Sequence, residues 1–345
     1  MKKILTLMLV VIMAIGCTSV AFAAEAKTEF DVRALIWKYD DTYGSSVRKA
    51  MMSAAEEIGT ELGVKINLTM YDAADDMAKQ VEQATILVGE KPDFVIINLA
   101  EVASGQQLVD MFTEAGIPFL FYNKEPSAET VQSVVIDSKS IFIGTTPREA
   151  GDMQGEILAD LFKANPAIDK NGDGKLQFVE FMGEPNNPEA IARTQYSEET
   201  AIACGLNLDK VTETIVANWD STQANDKMTA TWAANNGIEV VFCNNDDMAI
   251  GVVAALNSFS LNTGIDGDDA IVVIGVDATD AAFESIKNGG MTATVKQDGD
   301  AMGYANVRIA MNYLMNGTWL EGTDYTMAAD GYSVRIPYAK ITSVE

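Results

Sequence analysis

Phe94-Val95-Ile96-Ile97-Asn98 decides the fold: four apolar residues, rich in β-branched side chains, stop abruptly at an amide. A run this short and uninterrupted reads as a strand of a parallel sheet buried on both faces. The same pattern recurs at Pro118-Phe119-Leu120-Phe121, Phe178-Val179, Val240-Val241-Phe242 and Ile271-Val272-Val273-Ile274. Between these runs lie stretches of helical character, Val47 to Leu62, Asp76 to Val88, Ala150 to Ala164 and Met248 to Ser258. Strands alternating with helices predict an α/β protein with parallel sheets. After removal of a leader, about 320 residues remain, more than one hydrophobic core usually serves, so two domains are expected.

The strand ends carry more information than the strands. Asp40-Asp41 follows the first run, Asn98 and Asn123 the next two, then come Glu184, Asn244-Asn245-Asp246 and Asp277. Open parallel sheets bind ligands at the carboxyl ends of their strands, where such side chains converge. No G-x-G-x-x-G follows a strand and no G-x-x-x-x-G-K-[ST] occurs, so nucleotide phosphate is not the expected ligand. Carboxylates and amides suit a neutral, hydroxyl-rich ligand, and Tyr43 and Trp219 offer flat faces for the C–H patches of a pyranose ring. Taken singly, each Asp or Asn is equally a helix N-cap.

Asp169-Lys170-Asn171-Gly172-Asp173-Gly174-Lys175-Leu176-Gln177-Phe178-Val179-Glu180 has the spacing of an EF-hand calcium loop. Oxygens at positions 1, 3, 5, 7, 9 and 12, with Gly174 at the sharp turn, meet the needs of Ca2+. Lys2 and Lys3, the apolar run Ile4 to Ile15 and the small-residue site Ala21-Phe22-Ala23 read as a signal peptide over residues 1–23. Cleavage after Ala23 is preferred over a lipid anchor on Cys17, because Ala14-Ile15-Gly16-Cys17 is only a loose lipobox. No later segment has the apolar length of a membrane span.

Composition excludes several chemistries. The net charge is −26, and loss of Lys2 and Lys3 with the leader takes it to −28, which repels nucleic acid. The chain has no histidine, ruling out Ser-His-Asp and Cys-His mechanisms and imidazole-held zinc. Cys204 and Cys243 read as structural or incidental. Carboxylate catalysis stays open, as in a glycoside hydrolase pairing Asp41 with Glu189 or Asp277.

Six blocks carry a resemblance: Trp37-Lys38-Tyr39-Asp40-Asp41-Thr42-Tyr43, Phe121-Tyr122-Asn123-Lys124-Glu125-Pro126-Ser127, Gly183-Glu184-Pro185 through Ala192-Arg193-Thr194, Trp219-Asp220, Asn244-Asn245-Asp246 and Gly275-Val276-Asp277. In these residues, in their order and in the position of the calcium loop, the chain resembles the periplasmic D-galactose/D-glucose-binding protein family from about residue 30 to the end. The resemblance implies a non-catalytic type I binding protein: two similar doubly wound parallel-sheet lobes joined by a three-strand hinge. The lobes are expected at residues 28–143 plus 298–334 and 144–297 plus 335–345. It implies a periplasmic monomer that captures glucose or galactose for an ABC-type permease, with a chemoreceptor as a further partner. Asp41 would receive the 4-hydroxyl, Tyr43 and Trp219 would sandwich the ring, and Asn123, Arg193, Asn245 and Asp277 would hold hydroxyls. Asn187, Glu189 and Gln297 also fall on ligand positions, standing where the family has histidine, aspartate and asparagine, so the sugar class is firmer than the sugar. A pentose-tuned version of the fold is the near alternative, and the sensing domain of a transcription regulator a more distant one. At the metal, Asp169, Asn171, Asp173, the Lys175 carbonyl and Gln177 match the family, whose last carboxylate would be Glu239. Glu180 satisfies the local EF-hand rule instead, and Glu239 is preferred because Gln177 onward already reads as strand.

Overall fold

The computed structural model describes residues 27–135, 140–264 and 270–343. The leader, Cys17 and the cleavage site after Ala23 lie outside the described residues. Among the described residues no helix is long and apolar enough to cross a membrane.

The chain first alternates β1 (Glu29–Ile36), α1 (Thr42–Leu62), β2 (Lys65–Asp72), α2 (Met77–Glu90), β3 (Phe94–Ile97), α3 (Gly105–Ala115), β4 (Phe119–Tyr122), α4 (Ala128–Val135) and β5 (Phe142–Gly144). A second series follows: α5 (Pro147–Ala164), β6 (Leu176–Met182), α6 (Pro188–Ala203), β7 (Leu208–Lys210), β8 (Ile215–Val216), α7 (Ser221–Ala234), β9 (Val240–Cys243), α8 (Asp246–Asn257), β10 (Val272–Asp277), α9 (Asp280–Lys287) and β11 (Ala293–Gln297). The chain ends with α10 (Gly299–Asn316), β12 (Ser333–Arg335) and β13 (Tyr338–Ile341).

Two sheets result, ordered β12-β5-β4-β3-β1-β2 and β13-β11-β10-β9-β6-β7, with β8 also beside β6. All neighbours run parallel except β13, which is antiparallel to β11. Each sheet therefore has the same doubly wound core, and its order reverses between β1 and β3 or between β6 and β9, where such sheets take ligands. β3, β4 and β9 are buried along their whole length, which is why their sequences are unbroken apolar runs. The chain changes sheets three times, after β5, after β11 and after β12. The expected architecture of two doubly wound lobes on a three-strand hinge is the one observed.

Helix α1 begins at Thr42, five residues before its apolar periodicity, because the Asp41 carboxylate caps it by accepting from Gly44 N–H. Val47, Met51, Ala54, Ala55 and Ile58 form its buried stripe. They meet Met302, Ile309 and Ala310 of α10 in one core, so the first and the last of the described helices of the N-terminal lobe complete each other. Gly303 allows the contact: a Cβ there would stand 2.4 Å from Ala50 Cβ and 2.7 Å from the Val47 carbonyl oxygen.

Candidate functional site

One cavity between the lobes, with about 430 Å³ of atom-free space, is lined by Asp41, Tyr43, Asn123, Asn187, Glu189, Arg193, Trp219, Asn245, Asp277 and Gln297, together with Trp37 and Lys124. All ten ligand positions named from the sequence thus stand together. Their placement follows from the topology. Asn123 follows β4, Asp277 ends β10, and Gln297 ends β11, each at a carboxyl end. Glu189 and Arg193 lie one turn apart on α6, on the same face.

The capping and ligand readings turn out to be compatible. Asn187 Oδ1 accepts from Glu189 N–H at 2.8 Å, and Asn245 Oδ1 accepts from Met248 N–H at 3.0 Å, so both cap helices while lining the cavity. Asp41 caps through Oδ1, and among the described residues Oδ2 makes no hydrogen bond to protein. Burial pushes the Asp41 carboxyl up to about 6, against the lowering effects of Gly44 N–H and Lys124, with Asp247 adding to the rise.

Arg193 is the hub. Its Nη1 donates to the Asn244 carbonyl at 2.7 Å, and its Nη2 donates to Gln297 Oε1 and Tyr338 Oη, both at 2.8 Å. Glu189 Oε1 accepts from Thr145 Oγ1 at 2.7 Å, and Oε2 accepts from Tyr338 Oη at 3.0 Å. Thr145, Gln297 and Tyr338 come from the three crossings, so every hinge strand is tied to the same two side chains of α6. Burial disfavours the Arg193 charge, and Tyr338, Glu189 and Asp277 more than offset it. Burial also pushes the Asp277 carboxyl well above its ordinary value, although Arg193 Nη1 stands 3.8 Å away.

The two aromatic positions named from the sequence come from opposite lobes. Tyr43 packs in the N-terminal core with its hydroxyl 3.3 Å from Met302 Sδ. Trp219 sits at φ +64° after Asn218 at φ +50°, and its indole lies flat on Gly183, where a Cβ would be 2.3 Å from the ring. Two left-handed non-glycine residues in succession are a strained way to aim one ring. Among the described residues, Trp219 Nε1 and Arg193 Nε are buried without a partner. Orphaned donors of this kind are costly in a folded chain.

Trp37 and Lys124 were not assigned roles from the sequence. Trp37 packs with Ala73, Ala100 and, across the cleft, Trp219; its indole N–H donates to Asp75. Lys124 is 5% exposed. The strand-end rule could have pointed to both positions, since Trp37 directly follows β1 and Lys124 stands two residues beyond β4.

The loop at residues 169–177 closes on itself and on β9. Asp169 accepts from Gly172 N–H at 2.7 Å and Gly174 N–H at 2.9 Å, Asn171 Oδ1 from Asp173 N–H at 2.8 Å, and Asp173 Oδ1 from Lys175 N–H at 2.8 Å. Glu239 reaches it from the start of β9, accepting from Lys170 N–H at 2.6 Å and Gln177 N–H at 3.1 Å. Glu180 faces elsewhere: it is buried, accepting from Ser197 Oγ and Asn244 Nδ2, both at 3.2 Å. Among the described residues no three His, Cys, Asp or Glu side chains cluster tightly enough to hold a metal by themselves. Any cation here must draw on the Asn171 and Gln177 amides and the Lys175 carbonyl, and the two amides already meet inside the loop at 2.9 Å.

Residues 34–318 match the family described as Periplasmic binding protein domain. The D-galactose/methyl-galactoside binding periplasmic protein MglB of Haemophilus influenzae is 33% identical over 331 residues, covering 95% of this chain and 93% of its own. An ABC transporter solute binding protein from Bacillus halodurans with bound myo-inositol superposes with a TM-score of 0.73 at 23% identity, covering 92% of this chain and 96% of the other. A periplasmic solute binding protein from Actinobacillus succinogenes with bound D-allose gives 0.73 at 18% identity, covering 91% and 97%. With its two-lobed fold, its interlobe cavity and a match over most of its length, this chain belongs to the periplasmic binding protein family.

Proposed function

We propose that the chain is an exported solute-binding protein that captures a hexopyranose, D-glucose or D-galactose, between its lobes and hands it to an ABC-type permease. The observation that carries this reading is the cavity itself. Tyr43 and Trp219 on opposite lobes bring aromatic faces, while Asp41, Asn123, Asn245 and Asp277 bring acceptors and donors from several strand ends. A flat, hydroxylated ring satisfies both, and it supplies acceptors for Trp219 Nε1 and Arg193 Nε. The galactoside-binding relative at 33% identity supports the same class.

A pentose is the second reading, favoured by Glu189 and Gln297, whose long side chains reach Thr145 and Asn123 and fill the hinge end. Ribose import binding proteins stand at 22% identity. Calorimetric titration of the refolded mature chain with glucose, galactose, xylose and ribose decides between them. Tight binding of a pentose with no response to either hexose overturns the hexose reading. Aryl glycosides are expected to pass unhydrolysed, and turnover would instead favour a carboxylate hydrolase.

We also propose a structural Ca2+ on the 169–177 loop, held by Asp169, Asn171, Asp173, the Lys175 carbonyl, Gln177 and Glu239. The ion would supply a fixed positive charge that holds these oxygens together. Periplasmic release after leader cleavage, and docking to a chemoreceptor, belong to the same proposal.

A further inference from the structure

An interlobe ion pair stands between the inner cavity and an outer cleft. Lys124, next after Asn123 at the end of β4, belongs to the N-terminal lobe; Glu184, two residues beyond β6, belongs to the other. Lys124 Nζ donates to both Glu184 oxygens, at 3.2 and 3.0 Å, and to the Ala100 carbonyl at 3.2 Å, and it stands 3.8 Å from the Trp37 ring centroid. Lys124 lines the inner cavity, whereas Glu184 lines the outer cleft with Lys38, Glu101 and Asp220. The pair therefore has one end at the inner cavity and the other at the outer cleft.

We propose that this pair is an interlobe latch, with Glu184 a positioning residue that sets how long the lobes stay closed. It rests on the sugar-binding reading and deepens it. The Lys124 side chain is 4% exposed and that of Glu184 is 24% exposed. A dry ammonium is costly without a counter-charge, and opening the lobes carries Glu184 away with the C-terminal lobe, leaving Lys124 with a carbonyl and an aromatic face. The outer end of the pair meets solvent, so salt weakens it. On another side of the cleft, Thr42 Oγ1 donates to Asp247 Oδ1 at 3.2 Å, a second interlobe bond whose acceptor residue is anchored by Ser221 N–H at 2.9 Å. A latch differs from a ligand contact in kinetics. It does not hinder entry into the open protein, but it must break before ligand leaves, so its loss falls on the dissociation rate.

The test is stopped-flow binding of glucose and galactose to wild type, Glu184→Gln and Glu184→Asp, at low and high salt. Glu184→Gln is expected to raise the dissociation rate about tenfold while the association rate stays within about twofold. Glu184→Asp, which keeps the charge, should recover part of the loss. Raised salt should speed wild-type dissociation and leave Glu184→Gln unchanged. An unchanged dissociation rate, or a loss confined to association, overturns the latch. If neither sugar binds wild type, the sugar reading fails, and small-angle scattering of the sugar-free proteins then decides the latch: a larger radius of gyration in Glu184→Gln supports it, and equal radii overturn it.

Discussion

Replacing Glu239 by glutamine should reproduce the removal of calcium, whereas the same change at Glu180 should not. The Glu239 carboxylate accepts from Lys170, Gln177 and, more distantly at 3.4 Å, Asn171 N–H. Glutamine keeps one acceptor oxygen and turns an N–H toward a backbone donor, so one charge-assisted bond is lost and a buried conflict added. Together these cost about 2–3 kcal/mol before any metal is considered. For a lobe of this size that is a fall of roughly 5–10 °C in melting temperature. Calcium at a thousandfold excess over its dissociation constant adds about 4 kcal/mol to wild type by mass action, most of which the variant forgoes. Burial pushes the Glu180 carboxyl well above its ordinary value, although Lys210 and Ser197 act the other way, so a neutral amide there changes little. Thermal unfolding by circular dichroism, in chelator and in excess calcium, separates the cases. Wild type and Glu180→Gln should respond to calcium, and Glu239→Gln should start lower and respond weakly. The reasoning is refuted if Glu180→Gln abolishes the calcium response while Glu239→Gln keeps it, and the metal itself is refuted if wild type ignores the chelator.

Trp219→Ala should weaken sugar binding by about 1–3 kcal/mol with the fold intact, and sugar is expected to alter tryptophan fluorescence in wild type but much less in the variant; unchanged affinity would place Trp219 in ordinary packing. Gly183→Ala should act through the same ring, because the added Cβ would meet the indole at 2.3 Å and displace it; calorimetry should show lost affinity, and wild-type binding would mean that the ring's position is not critical. Asp41 accepts a hydroxyl more strongly when ionised, and its carboxyl is pushed up to about 6, so affinity should rise from pH 5 to 7 and level off above. At pH 5 the sugar should bind about tenfold more weakly than at pH 8, for glucose and galactose alike, and Asp41→Asn should bind both weakly with a flatter profile; a flat wild-type profile contradicts the role.

Strand runs such as Phe94–Ile97 were legible because burial on both faces leaves a signature that no partner can obscure. The polar residues closing those runs were legible by their recurrence at successive strand ends, since any one of them could equally be a helix N-cap, as Asp41 and Asn245 also are. What sequence could not reveal were interactions made across the lobes. Lys124 reads as a surface lysine until Glu184, sixty residues away, is brought to 3.0 Å. Trp37 reads as core, and it is core, but of a cluster shared with Trp219 of the other lobe. β7, Leu208–Lys210, escaped for a different reason: it is short, half-exposed and polar at an edge. Glu180 and Glu239 show a local rule meeting tertiary context, because the alternation of β6 turns Glu180 toward Ser197 and away from the loop.

The late return of the chain to its first lobe has a consequence for the order of synthesis. Residues of α1 such as Val47, Met51 and Ile58 await Met302, Ile309 and Ala310 of α10, and β5 awaits β12. Until the last tenth or so of the chain has been made, the leading half cannot bury its own apolar face. The middle segment, from α5 to β11, lacks only the edge strand β13 and can gain structure earlier. The nascent protein is thus left unfinished at the end that emerges first, and a polypeptide bound for export keeps its leading portion threadable for longest.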